Sequence, residues 1–256
     1  VLRNGQIKKI RADQITEQDY ISVPNKIEIQ GKLVNLFNQI KNLNLFVYLS
    51  SKEAKECILK KYNTMKDVHK QLKFKKNYCQ FTQDIKKGKI PIEFIKKEKE
   101  NFLKIKRYND TKIITLPLFL TQEFAEFIGY VIGDGYINKG YLEITSQDSE
   151  IIKRIIELSK LLFNISPRIE KELRSQNLYK IQLCSKTLVE IFKIFNLTPG
   201  KKGKNLKVPE QIMLSNNETI KQFLRAYFDC DSYPSKNRHI ELTSESNILI
   251  QQIDLL

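Results

Sequence analysis

The chain has 256 residues, and 41% of them are apolar, which is enough to bury the core of one or two domains. This composition excludes a disordered tail and a miniature disulfide-stapled scaffold. Lys and Arg total 44 against 29 Asp and Glu, so the formal net charge is +15. Such an excess predicts a polyanionic partner, with nucleic acid as the leading class.

Cysteines and membrane signals give a second set of exclusions. The four cysteines form no C-x-x-C pair and the two histidines stand alone, so we expect neither a zinc site nor a disulfide framework. No apolar run approaches the roughly 20 residues that a membrane helix needs, and residues 1–5 do not resemble a signal peptide. We therefore expect a soluble, cytoplasmic protein with no membrane partner.

Residues 1–30 alternate apolar and polar positions and are punctuated by turn residues such as Pro24. This pattern predicts short strands joined by turns. We interpret 1–30 as a β-rich fragment and 31–114 as a separate basic helical segment.

The basic segment holds most of the net charge. Residues 52–112 carry 19 Lys or Arg against 8 Asp or Glu, an excess of 11. Thr64 predicts the start of one short helix, and Gly88 predicts the end of a second. Two short helices and a tight turn suggest a helix-turn-helix on DNA, although a helical hairpin with a solvated charged face remains an alternative. The candidate DNA-contacting lysines, assigned to the second helix, are Lys75, Lys76, Lys86, Lys87 and Lys89.

From residue 115 onward the predicted elements follow the order α-β-β-α-β-β-α. Pro117 and Thr121 are expected to start a helix that ends at Asp134-Gly135. A strand hairpin to residue 146, a helix over 148–163, strands over 168–174 and 179–184, and a helix over 186–195 follow. We assign 115–217 to this first repeat and 218–256 to the start of a second.

An internal repeat supports that division. The segment Leu-Glu-Ile-Thr-Ser at 142–146 recurs as Ile-Glu-Leu-Thr-Ser at 240–244, an offset of 98 residues. The helix before each copy ends in an acid, Asp134 and Asp231, at an offset of 97. The chain therefore holds one complete repeat and the opening of another, which is incomplete here.

Each of these acids lies at a helix C-terminus, where the macrodipole disfavours a carboxylate. Small residues four apart, Gly129 and Gly133 in one helix and Ala226 and Cys230 in the other, would let the two helices pack closely. Close packing would bring both acids together, and paired oxygen ligands on a basic protein favour Mg²⁺ and phosphodiester hydrolysis. Taken alone, Asp134-Gly135 is better explained as an ordinary helix stop. The repetition of an acid-ended helix at Asp231 favours a metal-binding pair instead. Cys230 is interpreted as a small interface residue rather than a nucleophile.

The two helix sequences resemble the signature helices of the LAGLIDADG, or dodecapeptide, homing endonucleases. The first is Phe-Ile-Gly-Tyr-Val-Ile-Gly-Asp-Gly at 127–135, and the second is Leu-Arg-Ala-Tyr-Phe-Asp-Cys-Asp-Ser at 224–232. The resemblance implies an α+β fold of two αββαββα halves, with saddle-shaped sheets in the major groove of double-stranded DNA. It also implies that Asp134 and Asp231 bind Mg²⁺, helped by the backbone carbonyls of Gly133 and Cys230, and support double-strand cleavage.

A second resemblance concerns residues 5–24, which are similar to the tail of the N-terminal splicing (Hint) half of archaeal-type inteins. This implies a nuclease embedded in an intein, flanked by host exteins and monomeric with two pseudo-symmetric halves. The basic segment resembles the DNA-binding insert of that group. The full-length protein would self-splice, whereas this chain alone should not.

Three departures from the family pattern bear on catalysis. Ala226 and Ser232 stand where the family prefers glycine, which predicts a looser second helix interface. Leu206 stands where a lysine is usual, three residues before Pro209. Lys204 and Lys207 flank it as substitutes, with Lys207 the better candidate for polarising the scissile phosphate.

Strand alternation predicts which side chains face DNA. Apolar residues are assigned to the helix-covered side: Leu142, Ile144, Ile169, Leu173, Ile181, Leu183, Ile240 and Leu242. The opposite face would then read base edges: Tyr141, Glu143, Thr145, Arg168, Glu170, Glu172, Arg174, Lys180, Gln182, His239, Glu241 and Thr243. The glutamates repel phosphate, so solvated hairpin surface remains an alternative for them, and equally for His239.

Two classes of function follow. The first is a sequence-specific, Mg²⁺-dependent DNA endonuclease. The second is a catalytically degenerate relative that acts as a DNA-binding module, a regulator or an RNA-splicing maturase, and Leu206 and Ser232 favour it.

Overall fold

The structure, a computed structural model, describes residues 2–3, 6–7, 11–17, 31–59, 64–71, 77–95, 102–108, 110–172, 177–200, 203–235 and 240–256. The chain divides into two compact units, residues 1–30 and 31–256. In the first unit, strands β1 (Leu2–Arg3) and β2 (Gln6–Ile7) pair antiparallel, and Ala12–Gln14 form a 3₁₀ turn. The strand positions predicted at 20–29 lie outside the described residues.

Residues 31–117 contain both helices and strands. The helices are α1 (Phe37–Ile40), α2 (Ser51–Leu59), α3 (Met65–Gln71) and α4 (Tyr78–Lys86). The strands β3 (Leu45–Tyr48), β4 (Lys89–Pro91), β5 (Phe102–Arg107) and β6 (Ile114–Pro117) form one antiparallel sheet in the order β4-β3-β5-β6, which we call the accessory sheet.

The prediction of a basic helical segment is therefore wrong in part, because the segment also contains strands. The two short helices are present: the Thr64 hydroxyl accepts a hydrogen bond from the Asp67 amide at 3.2 Å, and Gly88 adopts φ 74° after α4. Between and beyond them, β3 and β5 bury every second side chain, the pattern of a strand with one covered face. The predicted boundary at 114 falls at the first residue of β6.

The first repeat follows the predicted order, and local capping explains where its helices begin. It comprises α5 (Gln122–Asp134), β7 (Gly135–Ile137), β8 (Tyr141–Ser146), α6 (Ser149–Phe163), β9 (Arg168–Lys171), β10 (Tyr179–Cys184) and α7 (Lys186–Phe192). Thr121, Asp148 and Ser185 each cap the following helix through a side-chain oxygen. Pro117 does not start α5 as predicted; it ends β6.

The four strands of this repeat form an antiparallel sheet in the order β7-β8-β10-β9. One face is covered by helices, and there Leu142, Ile144, Ile181 and Leu183 are buried as alternation predicts. Ile169 is 46% exposed although it pairs with Ile181, because β9 is the edge strand. We call the uncovered side of this sheet the open face.

After α8 (Glu210–Met213), the second repeat begins with α9 (Asn217–Asp231). The strands β11 (Ser232–Pro234) and β12 (Ile240–Leu242) pair antiparallel, and α10 (Asn247–Leu255) follows. Ile240 is 69% exposed at the end of this two-stranded sheet, so its predicted burial is wrong.

The core of the first repeat is an aromatic cluster between α5, α6 and the end of α7. Five phenylalanines pack edge to face with ring centroids 5.2 to 6.4 Å apart: Phe124, Phe127, Phe163, Phe192 and Phe195. This packing holds α5 in place over the sheet. No helix in the described part of the chain is long and apolar enough to span a membrane.

Candidate functional site

Helices α5 and α9 pack against each other through small residues. A Cβ added at Gly133 would lie 2.4 Å from the Cβ of Cys230, and one added at Gly129 would lie 2.8 Å from the Cβ of Ala226. Both distances are too short for a real contact, so only glycine fits at these two positions of α5. The structure thus shows no loosening where Ala226 replaces a glycine.

This contact brings the two acid-ended tails together. Asp134 is the last residue of α5 and Asp231 the last of α9. Cys230 of α9 lies close to both acids. Burial raises the pKa of its thiol most, and the nearby charge of Asp134 raises the pKa further. Asp134 also forms hydrogen bonds with Cys230, and the charge of Asp231 adds a smaller increase in the pKa. Asp134 is exposed and Asp231 is half-buried, so both carboxylates are accessible from outside.

The donor set at these tails suits a hard divalent cation. Among the described residues, no group of three or more His, Cys, Asp or Glu is arranged to hold a metal ion. Mg²⁺ does not need such a cage, because it usually keeps several waters and binds one or two carboxylates together with substrate phosphates. Two carboxylates at adjacent helix ends, with the Gly133 and Cys230 carbonyls beside them in sequence, fit that requirement.

A row of four side chains crosses the open face next to these tails. Strand pairing aligns Tyr136, Glu143, Gln182 and Arg168 on β7, β8, β10 and β9. Gln182 donates a hydrogen bond from Nε2 to Glu143 Oε2 at 2.7 Å. Amide, carboxylate and guanidinium groups therefore lie side by side across the sheet, which is the chemistry that reads base edges.

The predicted DNA-facing residues separate into three sets. On the open face, half-buried or exposed, are Tyr141, Glu143, Thr145, Arg168, Glu170, Lys180 and Gln182. Exposed in or just after β12 are Glu241 and Thr243, and Glu172 lies just after β9 in an ion pair with Lys180. Outside the described residues are Lys75, Lys76, Arg174 and His239, and so is Leu173, which was predicted on the helix-covered side.

Two tyrosines on strands that follow the acids were missed by the sequence analysis. Tyr136 and Tyr233 each lie two residues after an acid and are 45% and 52% exposed. Each pairs across its hairpin with a glutamate, Glu143 or Glu241, and the Tyr233 hydroxyl donates a hydrogen bond to Glu241. That bond lowers the pKa of Glu241 and raises the pKa of Tyr233. Counting alternate positions from each acid would have found both tyrosines. The same count along β10 would also have found Cys184, an exposed residue at the end of that strand.

The substitute lysines lie on a loop before α8. Both Lys204 and Lys207 are exposed. Gly203 and Leu206 of this loop line a cavity of about 170 Å³ together with Val131 and Gly135 at the tail of α5. The loop is fixed on its other side because the Ser246 hydroxyl donates to the Leu206 carbonyl at 2.6 Å.

The described helix-turn-helix lysines, Lys86, Lys87 and Lys89, differ in their environments. Lys86 ends α4 and Lys87 follows it, and both are exposed. Lys89 is not on the helix as predicted; it lies in β4 with its side chain only 14% exposed. Its ammonium lies 3.9 Å from Asp84 and 4.4 Å from the ring centroid of Phe46, so it is already engaged within the protein.

Comparison with known proteins agrees with this geometry. Residues 121–193 and 218–256 match the model of the LAGLIDADG-like domain, and the match includes both acid-ended helices. It supports the LAGLIDADG family and the α+β architecture described above.

Several archaeal proteins are similar to the chain over part of their length. It is 35% identical over 136 residues to a protein of the A-type ATP synthase of Pyrococcus abyssi, covering 53% of this chain and 13% of that protein. It is 36% identical over 132 residues to the Replication factor C small subunit of Methanocaldococcus jannaschii, covering 50% of this chain and 7% of that protein. It is 26% identical over 265 residues to the Probable translation initiation factor IF-2 of the same organism, covering 99% of this chain and 21% of that protein. The chain therefore spans only a small part of each relative.

Proposed function

We propose that this chain is the nuclease part of an intein-borne LAGLIDADG homing endonuclease, which hydrolyses both strands of a specific DNA site with Mg²⁺. The observation that carries the proposal is the close packing of α5 on α9, which places Asp134 and Asp231 on either side of Cys230, within interaction distance of its thiol. A basic chain that brings two carboxylates together at adjacent helix tails has the parts that phosphodiester hydrolysis needs.

In this proposal Asp134 and Asp231 hold the divalent ion, with the Gly133 and Cys230 carbonyls as additional oxygen donors. When bound, Mg²⁺ would supply charge stabilisation for the phosphate under attack and for the leaving oxygen. Lys207, and secondarily Lys204, would approach the scissile phosphate from the loop and offset its charge. The loop is suited to that role because it lines one cavity with Gly135, the residue after Asp134.

The open face would lie in the major groove of double-stranded DNA. Gln182 and Arg168 are suited to purine edges and Glu143 to the amino group of cytosine. The accessory sheet adds a basic surface: Lys104 and Lys106 on β5 lie between Phe102 and Tyr108, and Lys106 lies 6.0 Å from the ring centroid of Tyr48. We propose that these lysines, with Lys86 and Lys87, supply affinity that does not depend on DNA sequence.

The intein part of the proposal rests on what the relatives share. Proteins with unrelated names match the same chain over 7 to 21% of their length, as expected for one inserted element carried by different hosts. We propose that this chain likewise lies between exteins of a host protein inside the cell, and that it acts as a monomer with two pseudo-symmetric halves.

The central test changes Asp134 to Asn in the full-length protein. A plasmid carrying the host gene without its insert should be linearised by the parent in Mg²⁺. The Asp134→Asn variant should cut it at least about 100-fold more slowly, because loss of a metal ligand removes several kcal/mol of transition-state stabilisation. Binding to the same DNA in EDTA, measured by gel shift, should stay within about twofold.

The matched control is Asp229→Asn, which removes an exposed acid from the same helix as Asp231, two residues before it. Its cleavage rate should match that of the parent. Equal cleavage by the Asp134→Asn variant and the parent would contradict the proposal.

A DNA-binding module without nuclease activity is the second candidate. Two features favour it: Leu206 occupies the expected lysine position, and Ser232 stands where the family prefers glycine. A regulator or an RNA-splicing maturase would fall in the same class. Retention of DNA in EDTA without any cutting in Mg²⁺ would favour this class over the nuclease.

A further inference from the structure

Tyr227 lies four residues before Asp231, one helical turn below it on α9. Its side chain is fully buried, and its ring stacks on Phe223 with centroids 6.3 Å apart and planes within 6°. The ring also faces the partner helix, since a Cβ added at Gly133 would lie 3.8 Å from Tyr227 Cδ2. The ring is therefore fixed at the junction of the two helix tails.

The hydroxyl of Tyr227 is buried and has no hydrogen-bond partner in good geometry among the described residues. Buried polar groups in folded proteins are nearly always hydrogen-bonded, so such a hydroxyl calls for an explanation. Asp231 and Ser244 nevertheless lie close to this hydroxyl. Burial raises its pKa first and the charge of Asp231 raises it next, while the contact with the Ser244 side chain lowers it and the contact with the Asp231 side chain raises it. The carboxylate of Asp231 is thus the nearby charged acceptor for this donor.

The first half of the molecule does not repeat this arrangement, although its sequence does. Tyr130 stands four residues before Asp134 and is also buried. Its pKa is raised by burial, then by Glu126 and Asp229, and Asp134 is not among the causes. Tyr130 instead lines a separate cleft with the buried Glu126 and Arg154, whose side chains form a two-point ion pair.

We propose that Tyr227 is a positioning residue for Asp231: its hydroxyl donates to one carboxylate oxygen and so aims the remaining lone pairs at the divalent ion. An ionised carboxylate offers about four lone-pair sites, so it can accept this bond and still bind metal. Partners of metal ligands typically change metal affinity or activity about 10- to 100-fold when removed. This inference rests on the proposed function, because it assumes that Asp231 binds a metal ion.

The first experiment measures metal binding directly. Mn²⁺ is titrated into the full-length protein and free Mn²⁺ is followed by electron paramagnetic resonance. Tyr227→Phe should weaken Mn²⁺ binding about 10-fold and raise the Mg²⁺ concentration needed for half-maximal cleavage by a similar factor. Tyr130→Phe removes the equivalent hydroxyl from the other half, and should leave both quantities within about twofold.

The second experiment needs no metal and no cleavage. In protein labelled with ¹³C at tyrosine Cζ, the Tyr227 signal is the one absent from the Tyr227→Phe variant. Asp231→Asn should shift that signal because the acceptor loses its charge, whereas Asp134→Asn should not. A Tyr227 signal that does not respond to Asp231→Asn would overturn the inference.

The outcomes separate this inference from the function on which it rests. If the parent binds Mn²⁺ and cleaves DNA but Tyr227→Phe matches it in both, the positioning role alone is wrong. If the parent neither binds Mn²⁺ nor cleaves, the nuclease proposal fails and the positioning role fails with it.

Discussion

Single residues join the accessory sheet to the first repeat, and Asp110 is the clearest case. One oxygen of its carboxylate accepts hydrogen bonds from the Thr187 amide and hydroxyl at 2.7 Å and from the Ser185 hydroxyl at 2.9 Å. These donors lie at the N-terminus of α7, where the macrodipole also favours a negative charge. Partial burial alone would raise the pKa of Asp110, but the hydrogen bonds outweigh it and lower the pKa.

A pH-dependent contribution to stability follows from that carboxylate. Because its pKa in the folded protein lies below the unfolded value of about 3.9, its stabilisation is fully present above that value and is lost as the pH falls through the folded pKa. Asp110→Asn should lower the free energy of unfolding by about 1 kcal/mol at pH 7, a figure that allows for partial exposure. The difference from the parent should shrink progressively as the pH falls below about 3.9, measured by urea unfolding across the pH range.

Asp254 provides the control, because it is exposed on α10 and its side chain makes no hydrogen bond with a described residue. Asp254→Asn should follow the parent at every pH. A difference between the Asp110→Asn variant and the parent that did not shrink at any pH below about 3.9 would show that the charge of Asp110 contributes nothing.

At the scale of whole elements, the α5–α9 contact sets how the two repeats meet. The two glycines of α5 do not face the same kind of neighbour. At Gly133 the nearest atoms to an added Cβ belong to the Cys230 side chain, whereas at Gly129 the nearest is the Phe223 carbonyl oxygen, at 2.6 Å. A smaller residue at position 230 can therefore relieve the clash at Gly133, whereas no side-chain change removes the backbone oxygen that faces Gly129.

Two double-mutant cycles test this difference. Gly133→Ala should destabilise the protein by about 1–3 kcal/mol through overpacking, and Cys230→Gly should remove most of that penalty in the double variant. Gly129→Ala should be as damaging, but Ala226→Gly should not rescue it because the Phe223 carbonyl remains. Unfolding in urea gives both coupling energies, and equal coupling in the two cycles would refute this description of the interface.

At the scale of the whole molecule, the question is which surfaces carry the net charge of +15. The accessory sheet is not a detachable module, because Asp110 and Arg107 bond to Thr187 of the first repeat. Deleting residues 52–112 would therefore damage the fold as well as remove charge. Neutralising individual lysines is the cleaner way to test the proposed DNA contact.

Lys104→Gln with Lys106→Gln should reduce the salt dependence of binding to a non-specific duplex. Each lost phosphate contact lowers the slope of log K against log salt by about 0.9, so the double variant should lose up to about 1.8. Lys153→Gln with Lys160→Gln removes equal charge from α6. This helix packs on the side of the β7-β8-β10-β9 sheet opposite the open face, so the slope should stay unchanged. Fluorescence anisotropy at several salt concentrations measures both slopes, and equal slopes for the two double variants would exclude the accessory sheet as a DNA contact.

How far the sequence predicted this molecule depends on how local each signal is. The bounds of α5 follow from a cap at Thr121 and a stop at Asp134, because both signals act within one helical turn. The accessory sheet was missed because β4 has three residues and its partners are distant in sequence. Alternation fixed which face Ile169 lies on but not whether a helix covers it.

The site shows the same limit. The acids and the small residues beside them repeat in sequence, so their meeting was predictable from the pattern. Tyr130 and Tyr227 repeat in the same way, yet their hydroxyls have different neighbours. That difference arises from packing against other elements, which no spacing within a motif encodes.

If the open face reads DNA as proposed, the hydrogen bond between Gln182 and Glu143 has a consequence for retargeting the protein to another DNA sequence. Each side chain orients the other across the strand pair, so exchanging one alone leaves its neighbour without a partner and free to swing to a new rotamer. A library that varies the two positions independently will consist mostly of mismatched pairs. Redesign should therefore vary and select the codons for residues 143 and 182 together.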